Sequence, residues 1–573
     1  MRRHIFLLLV ILAVVFLSWF GSVAGAAIYW GDLHCHSAYS DDGYVIQLNK
    51  GLVPQPPESS LSYARGTAHL DFMAFTDHAE FLEFYRDNHG NLIPDDTGKA
   101  IDEWEDTVAL TRNSLNLPDI IVFGGFEYTK TAEDENRNPV VGAGHKCVIF
   151  KDQRLPLKPI SSVDGAPANR PNPYAALPSD LWRMLDQSGC PYITIPHHPA
   201  KGASAPVSPE TSMITDWNFV NAKNQPLVEV FSVHGSSDYD GCPDPVDGFT
   251  ATSSVETALN LWLTTADPGY KLGLVGSTDG HLSRPGSVEP ESPDNMVHQE
   301  GDYTGGLVAV IAPEKSRDAI WYALTHKRVY GTSGPRIEIN TFRISGNGSS
   351  AEMGETLKLF GNQPIPLEIS VAFKTATADV ELLAVTRSTT REPVVDGVLP
   401  ATGLPWVLQT ATNHSQCTLW DGKEVAATLP DTCDCPRSYY RLTIRQQPTT
   451  RYTWIVNQYV ATNTRERAWS SPIFIERHAA VYVSPQKGST LTPAYASLQE
   501  ACSQATGDPN WNDELNILAT ASDFGEDLVL NRDQAISLMG GYDSDFSTAT
   551  GSTSISSLTI AKGTLTVAKL AIE

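Results

Sequence analysis

Ile28-Tyr-Trp-Gly-Asp-Leu-His34-Cys-His36 begins as an apolar strand-like stretch and ends in two histidines separated by one residue. Side chains alternate along a strand, so both imidazoles would share one face, as a single metal site requires, while Cys35 would pack on the opposite face. An H-x-H pair alone is a weak signal. Six further runs repeat the pattern: Leu70-Asp-Phe-Met-Ala-Phe-Thr-Asp77-His78, Ile120-Ile-Val-Phe-Gly-Gly-Phe-Glu127, His145-Lys-Cys-Val-Ile-Phe150, Tyr192-Ile-Thr-Ile-Pro-His197-His198, Leu227-Val-Glu-Val-Phe-Ser-Val-His234 and Leu272-Gly-Leu-Val-Gly-Ser-Thr-Asp279-Gly-His281. Only the run from His145 carries its histidine first. Buried parallel strands read as continuous apolar stretches, and polar groups at their C-terminal ends converge on one mouth of a barrel. Histidines scattered through a core would not recur at strand ends. The pattern predicts an α/β fold with a multinuclear metal site.

Working outward, helical spacing fills the gaps between runs at Ser59 to Ala68, Asp102 to Leu115, Ser179 to Gln187, Val255 to Thr265 and Ser316 to Tyr330. Alternating strand and helix patterns imply a parallel sheet closed or stacked by helices. This region, 27–335, is expected to be one barrel domain. Residues 336–477 change texture, with short alternating runs such as Leu367-Glu-Ile-Ser-Val-Ala-Phe between turn residues, the pattern of an antiparallel β-sandwich. Residues 478–573 show turn-punctuated alternation that resembles the start of a right-handed β-helix, short for a solenoid and ending on a sheet edge that could pair with another chain.

A chain of 573 residues is too long for one core, and 41% hydrophobic with 19% charged residues describes a globular protein. A net charge of -25 argues against nucleic acid and anionic membranes as partners. A phosphorylated small molecule stays compatible, because bound cations reverse the local field. Residues 1–26 read as a signal peptide: Arg2 and Arg3, an apolar core from Ile5 to Phe20, and Ala24-Gly-Ala26 before the cut. The alternatives are an uncleaved anchor helix and, from the twin arginines, the folded-protein export route. No later stretch is long enough to span a bilayer, so the expectation is an exported protein, periplasmic or extracellular. The eight cysteines do not form a disulfide framework; a bridge from Cys417 to Cys433 or Cys435 is the one pairing the spacing suggests.

The chemistry sits at the run ends. Asp41 and Asp42 occupy a Ser-Asp-Asp-Gly turn, where either could reach a metal or shape the turn. Glu127 ends an otherwise apolar strand, where a carboxylate is costly unless paired or metal-bound. Asp279-x-His281 repeats the strand-end ligand pair.

His34-x-His36-Ser, Ser40-Asp41, Thr76-Asp77-His78, Glu127, His145, Pro196-His197-His198-Pro199 and Asp279-x-His281 resemble, in order, the motifs of the polymerase and histidinol phosphatase (PHP) superfamily. Thr76-Asp-His-Ala-Glu80, Val233-His-Gly-Ser-Ser237 and Ala468-Trp-Ser-Ser-Pro-Ile473 look like its exported phosphoesterase-like branch. The resemblance covers about 28 to 476 and implies a distorted seven-stranded β/α barrel with two or three divalent ions. Carried over, His34, His36, Glu127 and Asp279 would hold one ion. Glu127 would bridge to a second held by His145 and by His197 or His198, with His197 favoured because it follows the proline. Asp41, His78 and His281 would hold a third, with Asp42 as the alternative acid. Such mixed donors suit Zn, Mn or Fe.

The implied reaction is hydrolysis of a small-molecule ester, a phosphoester first, by metal-activated hydroxide. Arg284 would clamp a phosphate or remain a surface arginine. His234 would serve as general acid or as a hydrogen-bonding neighbour of the ligands. Two other classes use the same sequence: a hydrolase of carboxylic esters, sulfate esters or amides on the same ions, and a surface binding or adhesion protein with an idle barrel.

Overall fold

The computed structural model describes residues 26–130, 143–168, 171–202, 213–288, 303, 305–360, 365–376, 378, 380–389, 405–409, 417–420, 424–433, 435–455, 458–478, 481–484, 494–495, 497–504, 514–521, 523–543, 546 and 548–572. The expected signal segment therefore lies outside the described residues, apart from Ala26, as does the side chain of Cys417. Among the described residues no helix is long and apolar enough to cross a membrane.

The fold is mixed α/β and dominated by sheets. Among the described residues its first eleven strands are β1 (Ala27–Asp32), β2 (Phe72–Ala74), β3 (Ile121–Phe123), β4 (Gly125–Lys130), β5 (Gly144–Phe150), β6 (Tyr192–His197), β7 (Leu227–Ser232), β8 (Gly235–Ser236), β9 (Gly273–Gly276), β10 (Leu307–Ala312) and β11 (Val329–Thr332). β1, β2 and β3 pair in parallel, as their apolar runs predict. β4, β5 and β6 form a separate antiparallel sheet, which corrects the all-parallel expectation. The reversal of β5 explains its run: a residue at the start of an antiparallel strand lies beside the ends of its neighbours, and His145 pairs with His197 of β6. β7 and β9 pair in parallel in a third sheet.

Three backbone seams join these sheets, two of them at ligand-type residues. Asp279 N donates to His34 O at 2.8 Å and His36 N to Gly280 O at 2.9 Å. Glu127 N donates to Asp77 O at 3.0 Å and Ala79 N to Glu127 O at 2.9 Å. Thr194 N donates to Asn224 O at 2.6 Å. Inside, Leu33, Phe72, Phe123, Cys147, Ile193, Leu227 and Val275 form one apolar cluster below the polar mouth.

Among the described residues six α-helices serve this region: α1 (Asp41–Asn49), α2 (Pro57–Gly66), α3 (Glu103–Asn113), α4 (Pro178–Ser188), α5 (Val255–Thr265) and α6 (Arg317–Thr325). α5 has the predicted bounds. Ser254 caps its N-terminus by accepting from Thr257 N at 3.2 Å, and Val255, Leu259, Trp262 and Leu263 are buried. Each such side chain contributes about 1.5–3 kcal/mol of burial. The helix expected over Ser316 to Tyr330 stops at Thr325, because β11 follows and pairs with β10.

The 336–477 region does contain an antiparallel five-stranded sheet, Ser349–Glu352, Glu338–Gly346, Ile365–Lys374, Glu424–Cys433 and Cys417–Trp420 in spatial order. Thr449–Ile455 and Gln458–Thr464 form a separate sheet of two, and most of the other described strands extend the first sheet: Arg467–Ser470 pairs with β11, so one 11-stranded sheet runs from β3 into this region. Trp30, Tyr330, Ile337, Phe342 and Ile444 share one core cluster across the expected boundary. In the tail, Glu514–Thr520, Asp527–Tyr542 and Ser557–Ala568 stack as parallel strands.

Candidate metal centre

The seams place eleven ligand-type side chains at one mouth, starting with Glu127. This residue ends the apolar part of β4 and is 1% exposed. Its Oε2 lies 3.2 Å from His34 Nε2, 3.4 Å from His36 Nε2 and 3.1 Å from His78 Nδ1; its Oε1 lies 2.8 Å from His145 Nδ1. Asp279 faces it across the cluster, with Oδ1 3.1 Å from His36 Nε2 and Oδ2 3.0 Å from His197 Nε2 and 2.9 Å from His234 Nε2. Asp42 Oδ2 lies 2.9 Å from His78 Nε2 and 3.0 Å from His281 Nε2. The donor atoms form four groups that could hold metal: His36, Asp42, His78 and His281; His34, His36 and Glu127; His34, His197 and Asp279; and His197, His198 and His234.

The electrostatics call for cations. Burial raises a carboxylate pKa, yet His78, His34 and His145 outweigh it and hold Glu127 well below the usual carboxylate range. Asp279 is held down against burial by His197 and His34, and Asp42 by His281 and His78. His198 is pushed far below the imidazole range by burial and by His197 and His145. Glu127 Oε1 and Asp279 Oδ2 are also telling: both sit within 3.0 Å of ring nitrogens, yet neither has an aligned hydrogen bond. His145 Nε2 and His198 Nδ1 are buried without a partner. Lone pairs that converge without protons between them are what a divalent ion satisfies. His198 and Asp279 hold left-handed φ values of 29° and 55°, strain of the sort concentrated at functional sites.

A second layer of side chains aims these rings. Glu229, inward-facing on β7, lies 2.6 Å from His197 Nδ1 and 3.4 Å from His34 Nδ1, which turns both Nε2 atoms toward the mouth. Burial opposes its ionisation, but His197 and His34 hold its pKa at about 2. Asp77 accepts from Ser37 N at 2.7 Å and from Ser40 Oγ at 3.0 Å, and Ser40 Oγ is 2.8 Å from His36 Nδ1. His78 Nδ1 lies 2.7 Å from Thr129 Oγ1. Glu229 was not singled out from sequence, although the signal was present: an acid inside Leu227-Val-Glu-Val-Phe, as anomalous there as Glu127 in its own run.

Most expected site residues meet here, with two corrections. Asp42, not Asp41, joins His78 and His281; Asp41 opens α1 with an exposed side chain, and the next residue turns inward. Arg284 does not point into the mouth: its guanidinium lies over the Tyr63 ring of α2, 6.0 Å from the centroid. The nearby cation is Lys201, with Nζ 3.0 Å from His234 Nδ1. Burial and then Lys201 push the His234 pKa down to about 3. The adjacent histidines also part company: His197 groups with His34 and Asp279, whereas the His198 ring is nearer to His145, at 4.8 Å against 6.2 Å for His197.

The profile of a family described as "Protein of unknown function (DUF3604)" matches residues 87–263 and 257–355. No curated protein matches the chain. Among solved structures, a two-domain protein from Bacteroides vulgatus, described as containing a predicted PHP-like metal-dependent phosphoesterase, is 13% identical over 77% of this chain and 96% of that chain, with a TM-score of 0.33.

Proposed function

We propose that the chain is an exported metal-dependent hydrolase of PHP type whose first substrates are phosphoesters, and that its three N-terminal sheets together make the distorted barrel of that family. The observation that carries this reading is the convergence of Glu127 and Asp279 on six imidazoles at distances of 2.8–3.4 Å, with oxygens left unaligned for hydrogen bonds. His34, His36, Glu127 and Asp279 would hold one divalent ion, Glu127, His145 and His197 or His198 a second, and Asp42, His78 and His281 a third. Bound there, Zn, Mn or Fe would supply the acidity that makes water a nucleophile near neutral pH, and positive charge for the phosphoryl oxygens.

The protein's own groups divide the remaining work. Glu229, Ser40 and Thr129 fix ring orientation. Lys201 takes the role first considered for Arg284, presenting a cation where charge develops on the phosphoryl group or the leaving oxygen. His234, hemmed between Lys201 and Asp279, serves as a ligand-side group rather than a proton donor. The parallel tail is proposed as an attachment or self-association segment.

The test is turnover of an aryl phosphate by the purified full-length protein, with and without chelator, beside elemental analysis. Metal-dependent hydrolysis with two or three ions per chain is expected. Fewer than one ion per chain, or no turnover on aryl phosphates, sulfates and carboxylic esters alike, would sink it.

A further inference from the structure

His234 and Lys201 lie on two separate loops, and a third segment holds both. After β7 the chain passes His234, forms β8, and turns back so that Ser236 N donates to Asp244 O at 2.7 Å and Val246 N to Ser236 O at 3.0 Å. This loop also carries the Lys201 segment: Ala200 N donates to Ser237 Oγ at 3.3 Å, Gly202 N to Gly248 O at 3.2 Å, and Thr250 N to Ala200 O at 2.8 Å. Its outer side meets two arginines from beyond residue 336. Arg441 Nη1, in the strand Arg437–Gln446, donates to Asp238 Oδ1 at 2.5 Å, and both side chains are buried. Arg467, which opens the strand Arg467–Ser470, donates to Pro243 O at 2.8 Å and pairs with Asp244. Its guanidinium also lies over the Phe231 and Trp469 rings, at 5.8 and 5.0 Å.

We propose that Arg441 and Arg467 are positioning residues of the metal site: by gripping Asp238 and Asp244 they fix the loop that sets His234 and Lys201 beside Asp279. The C-terminal region is then a working part of the site and not an appended module. A buried ion pair is a poor source of net stability, because desolvation offsets the attraction, but it defines a geometry sharply and is disruptive when one partner is lost. That property suits a device for alignment. The inference rests on the hydrolase reading above for its kinetic consequence, though not for its structural one.

The experiment uses full-length Arg441→Met, Asp238→Asn, the Arg441→Met/Asp238→Asn pair, and Asp244→Asn. Hydrogen exchange is measured over 198–202 and 233–250, together with metal content and the pH dependence of kcat and KM on an aryl phosphate. The clamp predicts exchange about tenfold faster in both segments, unchanged metal content, kcat lower by about ten- to a hundredfold, and a displaced pH profile. Arg441→Lys should recover part of the rate. Glu476→Gln, which breaks the Lys271–Glu476 pair before β9 and away from the mouth, should move neither readout. If Arg441→Met does not fold, the paired neutral variant removes the stranded charge and carries the test. Unchanged exchange at 198–202 in a folded variant, or a pH profile identical to wild type, overturns the proposal. Faster exchange in a protein whose wild type turns over no ester would retain the clamp and reject the hydrolase.

Discussion

The mouth around Glu127 and the parallel stack of the tail are both made of strands over apolar cores, and they use their buried positions in opposite ways. In the tail, Leu515, Ile536 and Leu565 align across three strands and Ile517 and Leu538 across two, and the core they join is apolar. At the mouth, buried positions carry His34, His36, Glu127, His145, His197, Glu229 and Asp279. Each such group would destabilise the fold if left uncompensated, whereas the tail residues are stabilising by burial alone. A tail change is therefore expected to alter stability without altering chemistry, and a mouth change to alter chemistry whatever it does to stability.

The sharpest test of that contrast is Glu127→Gln. The variant loses charge at the one carboxylate assigned to two of the proposed ion sites, so metal content should fall further than in any single histidine variant. Several kcal/mol of charge stabilisation is at stake, which corresponds to about a thousandfold in turnover. Elemental analysis beside rate measurement checks it; a Glu127→Gln protein with full metal content would break the bridging assignment. In the wild type, chelation should abolish turnover and lower the melting temperature, because ions that bind only the folded chain stabilise it by mass action.

Next in size come the acids around the rim. Glu229→Gln leaves every proposed ligand in place but removes the acceptor that turns His34 and His197, and a loss of about 10- to 100-fold in metal affinity or rate is expected. Asp42→Asn should empty the cluster with His78 and His281 and slow turnover by about tenfold. Asp41→Asn, one residue earlier with an exposed side chain, should stay within about twofold. Equal effects at positions 41 and 42 would contradict the placement of α1.

How much of this was legible depends on the range of the interaction that decides it. α5 could be bounded from sequence because its cap, Ser254, and its apolar face are local. The convergence of His34, His36, His78, Glu127 and Asp279 was legible because lone polar groups at the ends of apolar runs are anomalous wherever the strands finally pack. The reversal of β5 was encoded by the placement of His145 at the start of its run, yet strand direction is settled by partners far away in sequence. The continuation of the first sheet through Arg467–Ser470 was not legible, since edge pairing leaves no local pattern. Asp41 and Asp42 could not be separated either, because one residue of rotation at a helix start decides which carboxylate faces inward.

The smallest effect on chemistry is expected where the contrast began. A chain ending near Arg477 keeps all the residues of the mouth, the Arg441 and Arg467 contacts, and most of the strand Ile473–His478 that pairs with Arg437–Gln446. It loses a core, Val481, Leu498, Leu515, Ile536 and Leu538 among others, that forms a cluster of its own. The truncated protein should therefore fold, bind metal and match the full-length rate within about twofold. Leu538→Ala in the intact chain should cost about 2–5 kcal/mol, confined to the tail, and show as an earlier unfolding step with the rate unchanged. A truncation that stays folded by circular dichroism but loses activity would mean that the tail shapes the mouth. The separation between a region that stabilises and a region that reacts would then fail.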